Sequence, residues 1–222
     1  MLGTNNIDFR SRAASEEEAE FLASRVAGRG MDVTYSDLEA AKHVVLVSYE
    51  PEDETSVVFL RLRKAVRKNG LKVTTLAPFA SRGTQKLSAT LIPVAPGAEA
   101  QTLEAMELEE GTIILVGERA ACQPGLLSEI SSKAIRSGAR LAWMPRRAGD
   151  MGAIAAGCLP GLLPGGRPIS SAKARVDMAA AWGVDTLPTD PGLSAAEQFA
   201  SAQEGHLKAI TKIGRASCRE RV

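Results

Sequence analysis

Hydrophobic positions along this chain switch repeatedly between two periods. The run "VVLV" at 44–47 is continuous and mostly β-branched, the mark of a strand buried on both faces. Val58, Leu62, Ala65 and Val66 then recur at helical spacing until Asn69-Gly70, and a second strand-like run fills 71–76 before Pro78. This strand–helix–strand unit predicts a parallel pair with a right-handed crossover. The alternation continues with strands over 91–94, 112–116 and 141–144 and helices over 98–109 and 125–137. In the last helix Leu127, Ile130, Ala134 and Ile135 are expected to face inward. Upstream, Ser15 and Glu18 have capping-box spacing, which predicts a helix over 16–28 closed by Gly28 and Gly30, and a short helix suits 37–42. Together these elements predict an α/β fold, a mostly parallel sheet with helices on both faces.

Residues 145–192 break the pattern. They hold Pro145, Pro160, Pro164, Pro168, Pro188 and Pro191, more than half of the 11 prolines, around the glycine-rich "GCLPGLLPGG". That composition predicts a long ordered loop or bridging segment, not a sheet. Trp182 is expected to be a packing anchor within it. A helix returns over 193–204, and 206–210 reads as a strand just beginning. The expected organisation is an opening loop and helix (1–30), an α/β sheet domain (31–145), a Pro/Gly-rich bridge (146–192), a helix with a truncated strand (193–212), and a tail (213–222). The tail has three arginines and no apolar period, resembles a translated sequencing adapter, and is set aside from fold reasoning.

Composition narrows the function classes. With 222 residues, 45% hydrophobic and 24% charged, the chain can bury a sizeable core. Its apolar runs are too short for a bilayer-spanning helix, and no secretory leader pattern is visible, so neither membrane insertion nor secretion is expected. Formal net charge is +1 and becomes −1 without the tail, which gives no reason to expect nucleic acid as a partner. Cys122, Cys158 and Cys218 are scattered and the histidines are only His43 and His206. Four paired ligands for an iron–sulfur cluster or structural zinc are therefore lacking. A disulfide framework is not expected either, and Cys122 and Cys158 are read as small, partly buried residues in a reducing compartment.

No phosphate-loop, dinucleotide-binding, zinc-protease or serine-elbow motif occurs, and neither histidine has an evident catalytic partner. The cations Arg61, Arg63, Lys64, Arg67 and Lys68 fit the solvated outer face and last turn of a helix. Ligands of open α/β sheets bind outside the carboxyl ends of the strands. Here those ends read Ser48-Tyr49-Glu50-Pro51 and Gly117-Glu118-Arg119. Glu50, Glu52, Asp53 and Glu54 would repel a pyrophosphate where backbone N–H groups usually attract one. The expectation is a vestigial crevice at Ser48, Glu50, Gly117 and Glu118, with no catalytic, cofactor-binding or metal-ligating residue.

Three stretches carry a resemblance: Gly3-Thr4-Asn5-Asn6-Ile7-Asp8, the unit "DLEAAKHVVLVSYEPEDETSVVFLRLRKAVRKNGLKVTTLAP", and "LSATLIPVAPGAEA". In order and spacing they resemble the molybdopterin oxidoreductase family. Within it the chain looks most like the branch that serves as the large peripheral-arm subunit of respiratory complex I, and the later "ILVGERAACQPG", "LAWMPRRAGDMGAIAAGCLPGLLPGG" and "AAAWGVDTLPTDPGLSAAEQ" are similar to its actinobacterial-type versions. In formate dehydrogenases of this family the signature is followed by a metal-binding cysteine or selenocysteine and a histidine. Ala14 and Ser15 occupy those positions here, and alanine has no donor atom. The resemblance thus implies a fragment of an incomplete molybdopterin oxidoreductase-like domain that lacks molybdopterin. The parent would carry 4Fe-4S and 2Fe-2S clusters upstream, and other peripheral-arm subunits of complex I would be its partners. It would lie on the cytoplasmic side of the inner membrane, as a structural body supporting electron transfer from NADH to quinone. Two alternatives stay open: a fragment of a molybdenum-dependent formate dehydrogenase or nitrate reductase, and an independent α/β module binding a nucleotide or metabolite.

Overall fold

The computed structural model describes residues 4–10, 14–30 and 32–211. Five parallel strands form the sheet: β1 (His43–Val47), β2 (Lys72–Ala77), β3 (Thr90–Pro93), β4 (Ile113–Gly117) and β5 (Arg140–Met144). Their spatial order is β3-β2-β1-β4-β5, so the chain winds outward from β1 to one edge and then returns to the other side of β1. His43 to Val47 run beside Lys72 to Leu76 on one side, and Val44 to Val47 beside Ile113 to Val116 on the other. The expected α/β fold, a parallel sheet flanked by helices, is the observed one.

Burial on both faces explains the uninterrupted apolar runs. Val45 and Val47 join Leu76, Ile114, Val116 and Trp143 on one face, under the helices α1 (Glu16–Phe21), α6 (Glu99–Ala105) and α7 (Leu126–Ser137). Val44 and Leu46 join Val73, Ile113 and Leu115 on the other, under α2 (Tyr35–Ala40) and α4 (Ser56–Asn69). Helix ends follow local chemistry. Thr34 and Asp37 form a reciprocal capping box that starts α2 two residues before the expected 37. Gly70 closes α4 at φ +71°, a left-handed conformation that favours glycine. α1 continues into a π-helical turn, Leu22–Val26, so this helix ends at 26 rather than 28.

The structure corrects several expectations. The helix over 98–109 is the shorter α6, ending at Ala105. Two short helices go beyond the expected elements, α3 (Pro51–Glu54) in the acidic loop and α5 (Arg82–Lys86) before β3. Ile135 is 65% exposed: in α7 the buried stripe runs through Leu126, Leu127, Ile130, Lys133 and Ala134, and Ile135 falls one step beyond it. The Pro/Gly-rich stretch is more structured than a loop. It contains α8 (Asp150–Ala155), a small antiparallel ribbon of β6 (Leu162–Leu163) with β7 (Arg167–Pro168), and α9 (Ala172–Trp182). Glycines make this possible by taking positive φ at Gly157, Gly161, Gly165 and Gly166. Trp182 is 48% exposed and therefore no core anchor. Instead Ala174 and Met178 of α9 pack with Leu163 and Ile169. α10 (Ala195–Gln203) follows, and residues 206–211 form no strand. Cys122 is exposed and Cys158 half-buried. The tail 213–222 lies outside the described residues.

Leu62, fully buried in α4, and the exposed Ile135 of α7 should respond differently to truncation. Leu62→Ala is expected to lower stability by about 2–5 kcal/mol and Ile135→Ala by under about 1 kcal/mol, measured by urea unfolding.

Candidate functional site at the strand switch point

The order β3-β2-β1-β4-β5 places the topological switch between β1 and β4, where a crevice normally opens beyond the carboxyl ends of the strands. Ser48 and Glu50 follow β1, Gly117 ends β4, and Glu118 begins the 3₁₀ turn Glu118–Cys122. The structure therefore brings these four expected residues together at one end of one pair of strands. Ser48 takes φ +51°, unusual for a residue other than glycine. Its carbonyl oxygen lies so close to Gly117 that an added Cβ there would stand 2.2 Å away.

The acidic loop is folded against its surroundings. The Glu50 carboxylate accepts the Glu52 N–H at 3.4 Å and the Ser81 hydroxyl, and Gly83 packs flush against it. Lys86 pairs with Glu52. The Glu54 side chain is only 3% exposed; it accepts the Glu50 N–H at 3.0 Å and the Arg119 guanidinium at 2.7 Å. Arg119 Nε also reaches the Ser48 carbonyl at 3.3 Å. Beyond β5, the Arg146 N–H donates to Glu118 at 2.9 Å, and the Arg147 guanidinium stands 3.6 Å from the same carboxylate. Arg146 Nε lies 3.9 Å from Glu54. Buried carboxylates are thus faced by arginines whose side chains are about half exposed. Tyr49, buried beside them, bonds to the Thr55 hydroxyl, and burial, opposed by that bond, pushes its phenol above the usual tyrosine range.

Sequence reading locates Ser48, Glu50, Gly117 and Glu118 but misses Ser81, Gly83, Arg146 and Arg147. The available signal is positional: Arg146-Arg147 follows the end of a strand by two residues, and Ser81 follows another by four. Ala14 does not belong to this network. It is exposed and directly precedes Ser15, the N-cap of α1. Of the α4 cations, Lys64, Arg67 and Lys68 are exposed as expected of an outer face, whereas Arg63 is half-buried, with its Nε buried and without a hydrogen-bond partner among the described residues. Arg61 and Lys64 pair with Glu39 of α2 at 2.6 and 2.7 Å.

His43 stands at the opposite end of the sheet, with Nε2 2.9 Å from the Thr74 hydroxyl. Burial lowers its pKa, opposed by the nearby Glu109 carboxylate.

At the crevice, carboxylates bonded to N–H groups of their own loop stand where a phosphate would need free N–H groups. Among the described residues, no group of three or more His, Cys, Asp or Glu is arranged to hold a metal ion, and no helix is long and apolar enough to cross a membrane.

No family model matches the chain. It is 50% identical over 217 residues to the G subunit of NADH-quinone oxidoreductase from Mycobacterium tuberculosis and from Mycobacterium bovis, 94% of this chain and 27% of each relative. The chain is homologous to the G subunit of NADH-quinone oxidoreductase. It is also 46% identical to the same subunit from Streptomyces coelicolor, over 96% of this chain and 29% of the relative. The chain thus spans little more than a quarter of the length of the G subunits it matches, actinobacterial ones among them.

Two outcomes follow from this geometry. Gly117→Ala should destabilise the protein by about 2 kcal/mol or more, because the clash is with backbone; thermal or denaturant unfolding measures it. For His43 the folded pKa is depressed, so the unfolded chain binds the proton more readily. Stability should fall as pH drops below about 6.5, the ordinary histidine value. Melting curves between pH 7 and 5 should show a smaller decline for His43→Gln than for the unsubstituted chain.

Proposed function

We propose that this chain acts as a structural body of the G subunit in the peripheral arm of respiratory complex I. In this reading it supports electron transfer from NADH to quinone and carries no catalytic residue of its own. The observation that supports it most is the closure of the switch-point crevice. Glu50 and Glu54 are bonded to the loop's own N–H groups, to Ser81 and to Arg119, at the place where a cofactor phosphate would bind in an open member of the fold. The iron–sulfur clusters of the parent would lie on residues outside this stretch. Its partners would be other peripheral-arm subunits, on the cytoplasmic side of the membrane, without molybdopterin. Rigid packing on both faces of the sheet suits that role, because electron transfer between clusters requires fixed positions.

Calorimetric titration with NADH, ATP and guanine nucleotides should give no binding heat up to millimolar concentration. Tight binding of any of them would favour a nucleotide module instead, and stoichiometric molybdenum in the full-length protein would favour a molybdenum enzyme. Within the assembled complex, Arg119→Ala leaves the Glu54 charge without its closest cation. It should reduce the amount of assembled complex while leaving NADH–quinone turnover per assembled complex unchanged. Loss of turnover at normal assembly would contradict a purely structural role.

A further inference from the structure

The stretch Thr4–Asp8 stands apart from the switch-point network, yet nearly every polar side chain in it has a specific partner, and most of these partners belong to one remote segment. Asn5 Nδ2 donates to the Asp190 carbonyl at 2.9 Å. Asn6 Oδ1 accepts the Leu193 N–H at 2.9 Å, and Asp8 Oδ2 accepts the Ala195 N–H at 3.1 Å. The sequence separation is more than 180 residues in each case. Gly192 lies flush on the backbone of this stretch, where an added Cβ would come within 1.9 Å of the Asn5 carbonyl oxygen. All the captured groups on the remote side are backbone groups, one carbonyl and two N–H groups.

The receiving side is rigid. Asp8 is locked by Arg10, which donates to Oδ1 through its backbone N–H and Nε at 2.9 Å and to Oδ2 through Nη2 at 2.8 Å. Arg10 also lies 3.6 Å from Glu18 of α1, and the three side chains are 1–2% exposed. The Phe9 N–H donates to the Cys158 carbonyl at 3.0 Å, and the Phe9 ring packs on the main core. The captured side, by contrast, has little packing of its own. α10 contains no buried residue, and Phe199 is 58% exposed. A helix of nine residues is marginal in water without tertiary support. Its internal support is the capping box of Ser194 with Glu197 and the Gln198 side chain bonded to the Leu193 carbonyl.

We propose that Asn5, Asn6 and Asp8 form a clasp whose ligand is the backbone of residues 190–195 of the same chain, the segment that leads into α10, and that this clasp, rather than side-chain burial, holds α10 in place. The binding chemistry is backbone recognition: one amide donor, one amide and one carboxylate acceptor, and a glycine-only contact that fixes the register. Residues 190–203 then dock as a unit and open as a unit, independently of the sheet. This inference does not depend on the role proposed for the crevice, since no residue is shared between them.

The test is residue-resolved amide hydrogen exchange on the full chain and on Asn6→Ala, Asp8→Asn and Gly192→Ala variants. Asn6→Ala and Gly192→Ala should raise exchange of the Leu193, Ala195 and α10 amides by about tenfold or more, with exchange at Val45 and Ile114 unchanged. Asp8→Asn keeps an acceptor oxygen and should have a smaller effect in the same residues. If Asp8→Asn fails to fold, the other two variants leave Arg10 and Glu18 intact and decide the question. Unchanged α10 exchange in both would overturn the proposal. So would a uniform rise that includes Val45 and Ile114, because the stretch would then serve global stability rather than hold one segment.

Discussion

The close approach of Ser48 and Gly117 is the constraint on which the rest of the switch point depends. β1 and β4 are buried on both faces and paired residue by residue from Val44 with Ile113 to Val47 with Val116. That pairing fixes where each strand must end. At the next step the chain turns through a positive φ at Ser48, and its carbonyl fills the space beside Gly117 that any larger residue would need. The carbonyl is then within reach of Arg119, which couples the turn after β1 to the turn after β4. Once those turns are joined, α3 can begin only where Glu50 caps it, and Glu54 is drawn beneath Arg119.

The charge arrangement follows from this closure. Carboxylates buried at the end of a sheet are costly unless paired and hydrogen-bonded. Glu54 meets that requirement at Oε1, which takes the Glu50 N–H and Arg119, whereas its buried Oε2 has no hydrogen-bond partner among the described residues and lies 3.9 Å from Arg146 Nε. The arginine side chains are about half exposed, and their outer ends stay hydrated. Solvent-facing arginines contribute modest Coulombic energy in a screened setting, so their main effect is to neutralise carboxylates that could not otherwise remain buried. The same logic holds at the opening stretch, where Arg10 lies between Asp8 and Glu18 with all three side chains almost fully buried.

Periodicity makes the sheet legible because its signal is strong wherever a strand is buried on both faces. Each strand lies within a residue or so of its expected bounds, and Gly70 stops α4 where Asn69-Gly70 indicates. The errors have physical causes. Ile135 continues an apolar sequence pattern but lies just beyond the buried stripe of α7. The region after 145 reads as loop because proline and glycine weaken helix and strand propensity; α8, α9 and the small ribbon arise there because positive-φ glycines let short elements turn tightly onto one another. Ser48, Glu50, Gly117 and Glu118 are legible because strand ends in such a sheet converge by topology. Arg146, Arg147 and Ser81 are not, since their contribution depends on neighbours that only the folded chain supplies.

Two separate sites share a common property. At the switch point, Glu50 and Glu54 bind N–H groups of their own loop; at the clasp, Asn6 and Asp8 bind N–H groups of residues 193 and 195. In each place polar side chains that could serve an external ligand are occupied by backbone of the same chain. A buried acceptor with a well-placed internal donor gains little by exchanging it for a ligand's donor, because the displaced N–H would itself be left without a partner. Opening either site to a ligand therefore carries two desolvation costs, one on each side of the broken bond. This asymmetry disfavours exchange of the internal donor for an external one at the crevice and at the clasp alike.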